Sequence, residues 1–254
     1  MNTREHWLKP GERLDDLQLN ELHLIQDPES FCFGVDAVLL SHFAKPKKGE
    51  AVIDLGTGSG VIPILLAGKN PHCTITGIEL QADMAERAGR SVAMNGLEDR
   101  VNILNRDIRL LHEELSPASF QVVTSNPPYL PAGSLVNPRE TKALARHEIA
   151  LTLQELMAQA AYLLQPGGRF YLIHRPQRLA DLMVLGRRHG MEPKWMQMVH
   201  PYVHKPPTMV LLQLTRHGKP ELKSHPPLIM YHPDGSYTDQ LLQCYGGKKG
   251  RKKG

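Results

Sequence analysis

From residue 51 onward the chain alternates short apolar runs with longer stretches of helical period. AVIDLG (51–56), TITGIEL (74–80), VNILNRD (101–107) and FQVVTSN (120–126) read as strands. The intervening pattern predicts a helix over Val61–Lys69, with Pro63 tolerable only in its first turn. A second helix is expected over 81–94, where Asn95-Gly96 stops it, and a long third over 148–164. Gln165-Pro-Gly-Gly then turns the chain into the strand RFYLIH (169–174), and a further helix covers 177–189. The last two strands, 194–199 and 209–215, flank a Pro-rich loop. Strand-helix alternation predicts an α/β fold, a doubly wound and mostly parallel sheet with helices on both faces. The connection between the last two strands is too short for a parallel crossover, so they should form an antiparallel C-terminal hairpin. Residues 51–216 make the core, 1–50 an N-terminal arm and 217–254 a C-terminal extension, one domain overall.

Composition narrows the class. The chain has 254 residues, 41% hydrophobic and 22% charged, as expected for a globular protein and not for a disordered one. The longest apolar runs, such as VIPILLA from Val61, are far shorter than a membrane span, and the first residues lack a secretory pattern. Cys32, Cys73 and Cys244 form no CxxC pair. A cytoplasmic protein with no membrane partner is expected. Thirteen histidines raise the question of a metal, but Pro201 and Pro206-Pro207 break any helix that would align His200 with His204, and no metal site is expected. The final KKGRKKG holds five basic residues, leaving 25 basic against 26 acidic groups in residues 1–247. That tail is either a solvated terminus or a contact for phosphates. Whether the chain is a monomer or a homodimer is open.

Candidate chemistry sits at the strand ends. Asp54-Leu-Gly56-Thr57-Gly58-Ser-Gly60 falls where a strand should become a helix. Glycines there let a ligand approach the backbone, and ligands of open α/β sheets bind at the carboxyl ends of strands. The G-x-G-x-G spacing differs from the G-x-G-x-x-G dinucleotide fingerprint, which disfavours an oxidoreductase. Glu79 ends the second strand, followed by Leu80, where an acid can accept from ribose hydroxyls. Asp107 ends the third, where an acid can accept from an adenine amine while the Ile108 N–H faces a ring nitrogen. With Asp54 on the first strand, three acids suit a cationic nucleoside better than a phosphorylated one. Each acid alone would equally serve as a turn or helix cap.

The fourth strand runs into Asn126-Pro127-Pro128-Tyr129. Consecutive prolines stiffen the backbone and remove donors. The Asn126 side chain and Pro127 carbonyl then offer two acceptors to one NH2 group, and Tyr129 an aromatic face for a base.

The glycine loop with the acids at the second and third strand ends resembles a class I S-adenosylmethionine-dependent methyltransferase, a Rossmann-like fold with a seven-stranded sheet. That resemblance implies S-adenosyl-L-methionine as cofactor. The NPPY loop resembles that of methyltransferases acting on planar NH2 nitrogens. Phe31-Cys-Phe33-Gly34-Val-Asp36-Ala-Val-Leu-Leu40, Ala145-Arg146-His147-Glu148, the stretch 167–176 and Pro226 to Thr238 resemble the bacterial valine-tRNA adenine-N6 methyltransferases. From this family, Phe33, Gly34 and Asp36 are expected at the cofactor pocket, Arg146 and His147 at substrate, and tRNA as partner, methylated at adenine 37. The release-factor glutamine amide and an rRNA guanine-N2 remain alternative acceptors, and a non-enzymatic RNA- or cofactor-binding scaffold a third reading. Against the last stands the intact set Asn126, Glu79 and loop glycines.

Overall fold

A computed structural model describes residues 4–29, 32–128 and 151–246. The N-terminal arm forms an antiparallel hairpin, β1 (Arg13–Asp16) and β2 (His23–Gln26), then helix α1 (Val35–Phe43). The core follows as β3 (Ala51–Leu55), α2 (Val61–Lys69), β4 (Thr74–Glu79), α3 (Ala82–Met94) and β5 (Val101–Asn105). Next come α4 (Leu111–Glu114), β6 (Phe120–Ser125), α5 (Leu153–Leu163), β7 (Leu164–His174), α6 (Leu179–Arg188), β8 (Met191–His200) and β9 (Met209–Arg216). The C-terminal extension adds β10 (Lys223–Ser224), β11 (Leu228–Ile229) and α7 (Asp239–Cys244).

The long strands lie in the order β8-β9-β7-β6-β3-β4-β5. β5, β4, β3, β6 and β7 are mutually parallel, and β9 runs antiparallel between β7 and β8. The expected seven-stranded sheet with an antiparallel hairpin is therefore present. Two short strands, β10 and β11, extend it along the edge of β8. The chain moves one way from β3 to β4 and the other way from β3 to β6, so a crevice opens at their carboxyl ends.

Strand residues alternate between two cores. Val52, Val122, Tyr171 and Ile173 face the layer of α1 and α2, while Ile53, Val123, Phe170 and Leu172 face that of α5. Each such buried side chain contributes about 1.5–3 kcal/mol.

Three of the differences from the sequence reading have a local cause. The arm holds a β-hairpin, because β1 and β2 are short and their partner surface is a helix rather than the main sheet. Ser91 Oγ accepts from Ile25 N–H, and Asn95 both accepts from His23 N–H and donates to its carbonyl. Helix α5 starts at Leu153, not at 148, since Thr152 caps it in a reciprocal box with Glu155. Strand β7 begins five residues early, taking in the turn at Gln165 as a bulged stretch against β6.

Candidate active site

The glycine loop leaves β3 under β4. Gly56 (φ 78°), Gly58 (φ 57°) and Gly60 (φ 82°) all occupy the left-handed region that other residues avoid. Gly60 has a second constraint, since a Cβ there would come 3.1 Å from the Ala88 Cβ of α3. The loop's amides point inward. Gly56 and Thr57 N–H both donate to the Ile78 carbonyl (3.0 and 2.8 Å), Gly60 N–H donates to Thr57, and Gly58 N–H donates to Glu79 Oε2 at 2.9 Å. Four amides that would cradle a pyrophosphate in a phosphate-binding loop are engaged with the protein. A carboxylate also lies directly against the loop, which repels phosphate.

Glu79 is buried, and its other oxygen accepts from Gln81 N–H at 2.9 Å. Beyond it Leu80 is 48% exposed, an apolar side chain open to solvent at the mouth of the crevice. Ile108 is buried below, with its Cδ1 4.0 Å from where a Gly56 side chain would begin. Leu110, also apolar, is 47% exposed.

The third core strand, expected to end at Asp107, ends at Asn105, so Asp107 lies two residues beyond it and its carboxylate is already engaged. Its carboxylate forms a fork with the Arg109 guanidinium and accepts from Arg109 N–H (2.9 Å), capping the 3-10 turn at 108–110. The hydrogen bonds from Arg109 hold its pKa below the ordinary carboxylate value. Each carboxylate oxygen keeps lone pairs beyond these bonds.

Asp54 differs more from the sequence reading. It is fully buried, with Oδ1 accepting from the Thr124 hydroxyl at 2.6 Å, so it lies beneath the loop and has no surface open to the crevice. Burial pushes its pKa up to about 6, against the hydrogen bond from Thr124; the Glu79 charge adds to the rise. Asp54 Oδ2 and Thr57 Oγ1 are both buried and complete no hydrogen bond. Gln26 on β2 is a third such group. Its Nε2 donates to Ser59 Oγ in the loop at 3.2 Å, while its buried Oε1 has no partner. Sequence reasoning missed Gln26 altogether; its one signal is an amide at the end of the otherwise apolar stretch Leu24-Ile25.

Helix α1 of the N-terminal arm packs against α2, the helix that follows the glycine loop. Asp36 sits in the first turn, its Oδ1 accepting from Ala37 N–H at 2.9 Å. A Cβ on Gly34 would come 2.8 Å from that oxygen. Phe33 packs against the α1–α2 core.

Across the crevice, the Ser125 hydroxyl donates to the Leu55 carbonyl at 2.7 Å. This ties the end of β6 to the end of β3, one residue before Asn126 on one side and Gly56 on the other. Asn126 is half-buried, Pro127 buried and Pro128 exposed. Tyr129, Arg146, His147 and Glu148 lie outside the described residues, as does the KKGRKKG tail. Next to this strip, His174 ends β7 two residues beyond Leu172, the register partner of Ser125. Its Nδ1 accepts from Arg175 N–H at 2.8 Å, which leaves the ring proton on Nε2. Burial lowers its pKa to about 4, so the ring is neutral near pH 7. Sequence analysis had not singled it out.

Among the described residues no group of three or more His, Cys, Asp and Glu is arranged to hold a metal ion, and no helix is long and apolar enough to cross a membrane.

Residues 23–185 match the methyltransferase small domain family. A tRNA1(Val) (adenine(37)-N6)-methyltransferase of Porphyromonas gingivalis is 33% identical over 184 residues, covering 70% of this chain and 72% of its own. The chain belongs to this methyltransferase family. A relative of the same name from Aeromonas hydrophila is 28% identical over 225 residues, 88% of this chain and 92% of that one. Among solved structures, a predicted O-methyltransferase from Agrobacterium tumefaciens superposes with a TM-score of 0.69 at 21% identity, over 85% of this chain and 98% of that one. This methyltransferase shares its fold with that solved structure, and its crevice lies at the carboxyl ends of β3 and β6, where the glycine loop and Asn126 follow.

Proposed function

We propose that this methyltransferase uses S-adenosyl-L-methionine to methylate N6 of an adenine in tRNA, adenine 37 of a valine tRNA. The observation that carries the site reading is the Ser125–Leu55 hydrogen bond, which ties the Asn126-Pro127 strip to the glycine loop. The substrate comes from the relatives' names.

The residues present fit a cationic nucleoside. Engaged loop amides and the Glu79 carboxylate suit ribose hydroxyls rather than phosphates. Asp54 Oδ2 and Thr57 Oγ1 are orphaned polar atoms beneath the same loop. Gly56, Thr57, Gly58 and Gly60 would hold the backbone of the ligand, and Glu79 its ribose. Leu80, Asp107 and Ile108 would hold its base, Asp36 its amino-acid end. Asp54 would act from below, on the loop and through its charge. When bound, the cofactor supplies a methyl group on a positively charged sulfur.

Asn126 and Pro127 would do the work on the acceptor. An adenine amine is a weak nucleophile because its lone pair is delocalised into the ring. Two acceptors on its two protons favour a pyramidal nitrogen and direct the lone pair toward the glycine loop. Asn126, at the junction of strip and crevice, would face both the acceptor amine and the cofactor. Pro128 and Tyr129 would flank the flipped base, and Arg146 and His147 would contact the RNA. Incubation with labelled cofactor and tRNA lacking the modification, followed by nucleoside mass analysis, tests the reading. N6-methyladenosine at position 37 is expected; label on another atom or on protein alone would overturn it.

A further inference from the structure

The loop between β8 and β9 carries an aromatic stack at the carboxyl end of the sheet, the same end as Asn126. β8 runs parallel to β7, so its end at His200 and the loop 201–208 share the face of the crevice. Tyr202 stacks on His204 at 5.8 Å and 26°, and meets Tyr231 in a tilted contact at 5.7 Å and 41°. Tyr231 meets Tyr237, also at 5.7 Å, behind it. The inner rings pack the C-terminal extension. The outer end does not: His204 is exposed, and Val203, between the two outer rings, is 76% exposed. Val203 and His204 thus present an apolar side chain and a ring to solvent at the loop tip.

This tip is held in place. Lys205 N–H donates to the Tyr202 carbonyl at 3.0 Å, His200 Nδ1 bonds the Lys205 carbonyl at 2.8 Å, and Thr208 N–H closes onto Val199 at 2.9 Å. It is also basic: residues 199–209 include Lys205 and two histidines and no acid. Arg175, leaving the end of β7, donates to the Thr208 carbonyl at 3.2 Å, so a guanidinium lies between the loop and the Asn126 strip. From β6 to β8 the sheet spans three strand spacings, about 14 Å. A stacked strand covers that in about four base steps.

We propose that Tyr202, Val203 and His204 form a stacking platform for unpaired nucleobases flanking the target adenine, with Lys205 and Arg175 facing the phosphates between. The partner is single-stranded RNA. Sequence-tolerant stacking beside cations is how unpaired strands are held. The platform would grip the loop while one base swings into the crevice. The inference rests on the tRNA reading above and adds where that substrate docks.

The test pairs kinetics with binding on the full chain. Tyr202→Ala with His204→Ala should raise KM for tRNA about ten-fold, the loss of one stacked base. kcat at saturating tRNA and affinity for the cofactor product should stay unchanged. Tyr202→Phe should restore KM, because the ring and not the hydroxyl stacks. The salt dependence of RNA binding should keep its slope in the double variant, since stacking releases no counterions. Independently of turnover, Tyr202→Trp should add an emission component quenched by tRNA without cofactor. Wild-type methylation of tRNA combined with an unchanged KM and no quenching would overturn the platform and leave the activity standing. Quenching by tRNA in a protein that methylates no tRNA would support the platform and refute the function.

Discussion

Ser125 and Leu55 sit on neighbouring parallel strands, and the Ser125 hydroxyl donates to the Leu55 carbonyl at 2.7 Å, both groups buried. Each residue is the last of its strand, before the glycine loop on one side and Asn126 on the other. The bond sets the distance between the strip that would hold an amine and the loop that would hold a methyl donor. Ser125→Ala should therefore cost about 1 kcal/mol of stability and lower kcat roughly ten-fold, with cofactor affinity little changed. Single-turnover kinetics that match wild type would show that the tie has no part in positioning.

Asn126→Ala should reduce methyl transfer by ~10²–10³-fold, the usual cost of one preorganised hydrogen-bonding group at a reacting centre. Calorimetry with the cofactor product should find binding preserved. A variant with substantial turnover would remove Asn126 from the reaction.

Glu79 does two things, accepting from Gly58 N–H and, in the proposed role, from a ribose. Glu79→Ala should weaken cofactor binding by about 1.5–3 kcal/mol. Glu79→Gln keeps one acceptor for the loop, so its fold should be intact and its loss smaller. Equal calorimetric affinities for the three proteins would eliminate the ribose role.

Asp54 gives a pH signature. Its pKa rises from 3.8 to about 6 on folding, chiefly through burial. A raised pKa means that the folded state holds a proton the unfolded chain releases. The resulting stabilisation is complete below pH 3.8 and is lost as the pH rises through 6. The shift corresponds to about 3 kcal/mol. Asp54→Asn has no such proton to lose. Its unfolding free energy relative to wild type should improve by roughly 2–3 kcal/mol between pH 4 and pH 7. A pH-independent difference in denaturant titrations would contradict the buried, protonatable Asp54.

Glu12 has the opposite sign. Bonds from Arg90, then Lys9 and Arg87, lower its pKa from 4.5 to about 2. Its stabilisation is present above pH 4.5 and disappears as the pH falls through 2. Glu12 joins the N-terminal arm to α3, and Arg87 also reaches Asp27 at 3.3 Å, just ahead of the segment leading to Asp36. Glu12→Gln should cost roughly 1–3 kcal/mol at pH 7 and much less near pH 2. Cofactor affinity should fall with it if the arm borders the pocket. An unaltered acid unfolding curve would place Glu12 outside the stabilising network.

Much of this molecule is written locally. Strand periodicity, the stop at Asn95-Gly96 and the glycine loop announce themselves because each depends on residues adjacent in the chain. The positions of Glu79 and Asn126 at strand ends follow from the same local pattern, as does the hairpin of β8 and β9 from its short connection. What required the folded chain is pairing over distance. Asp54 lies below its loop because Thr124, 70 residues away, holds it there. Gln26 reaches Ser59, and β2 rests on α3, only because the arm folds back across the sheet. Those contacts depend on side-chain direction and burial, which a pattern of residue types does not encode. Tyr202 and the tyrosines of the C-terminal extension show the division most plainly: spread over residues 202–245, they become one chain of ring contacts only when β11 pairs along the end of β8.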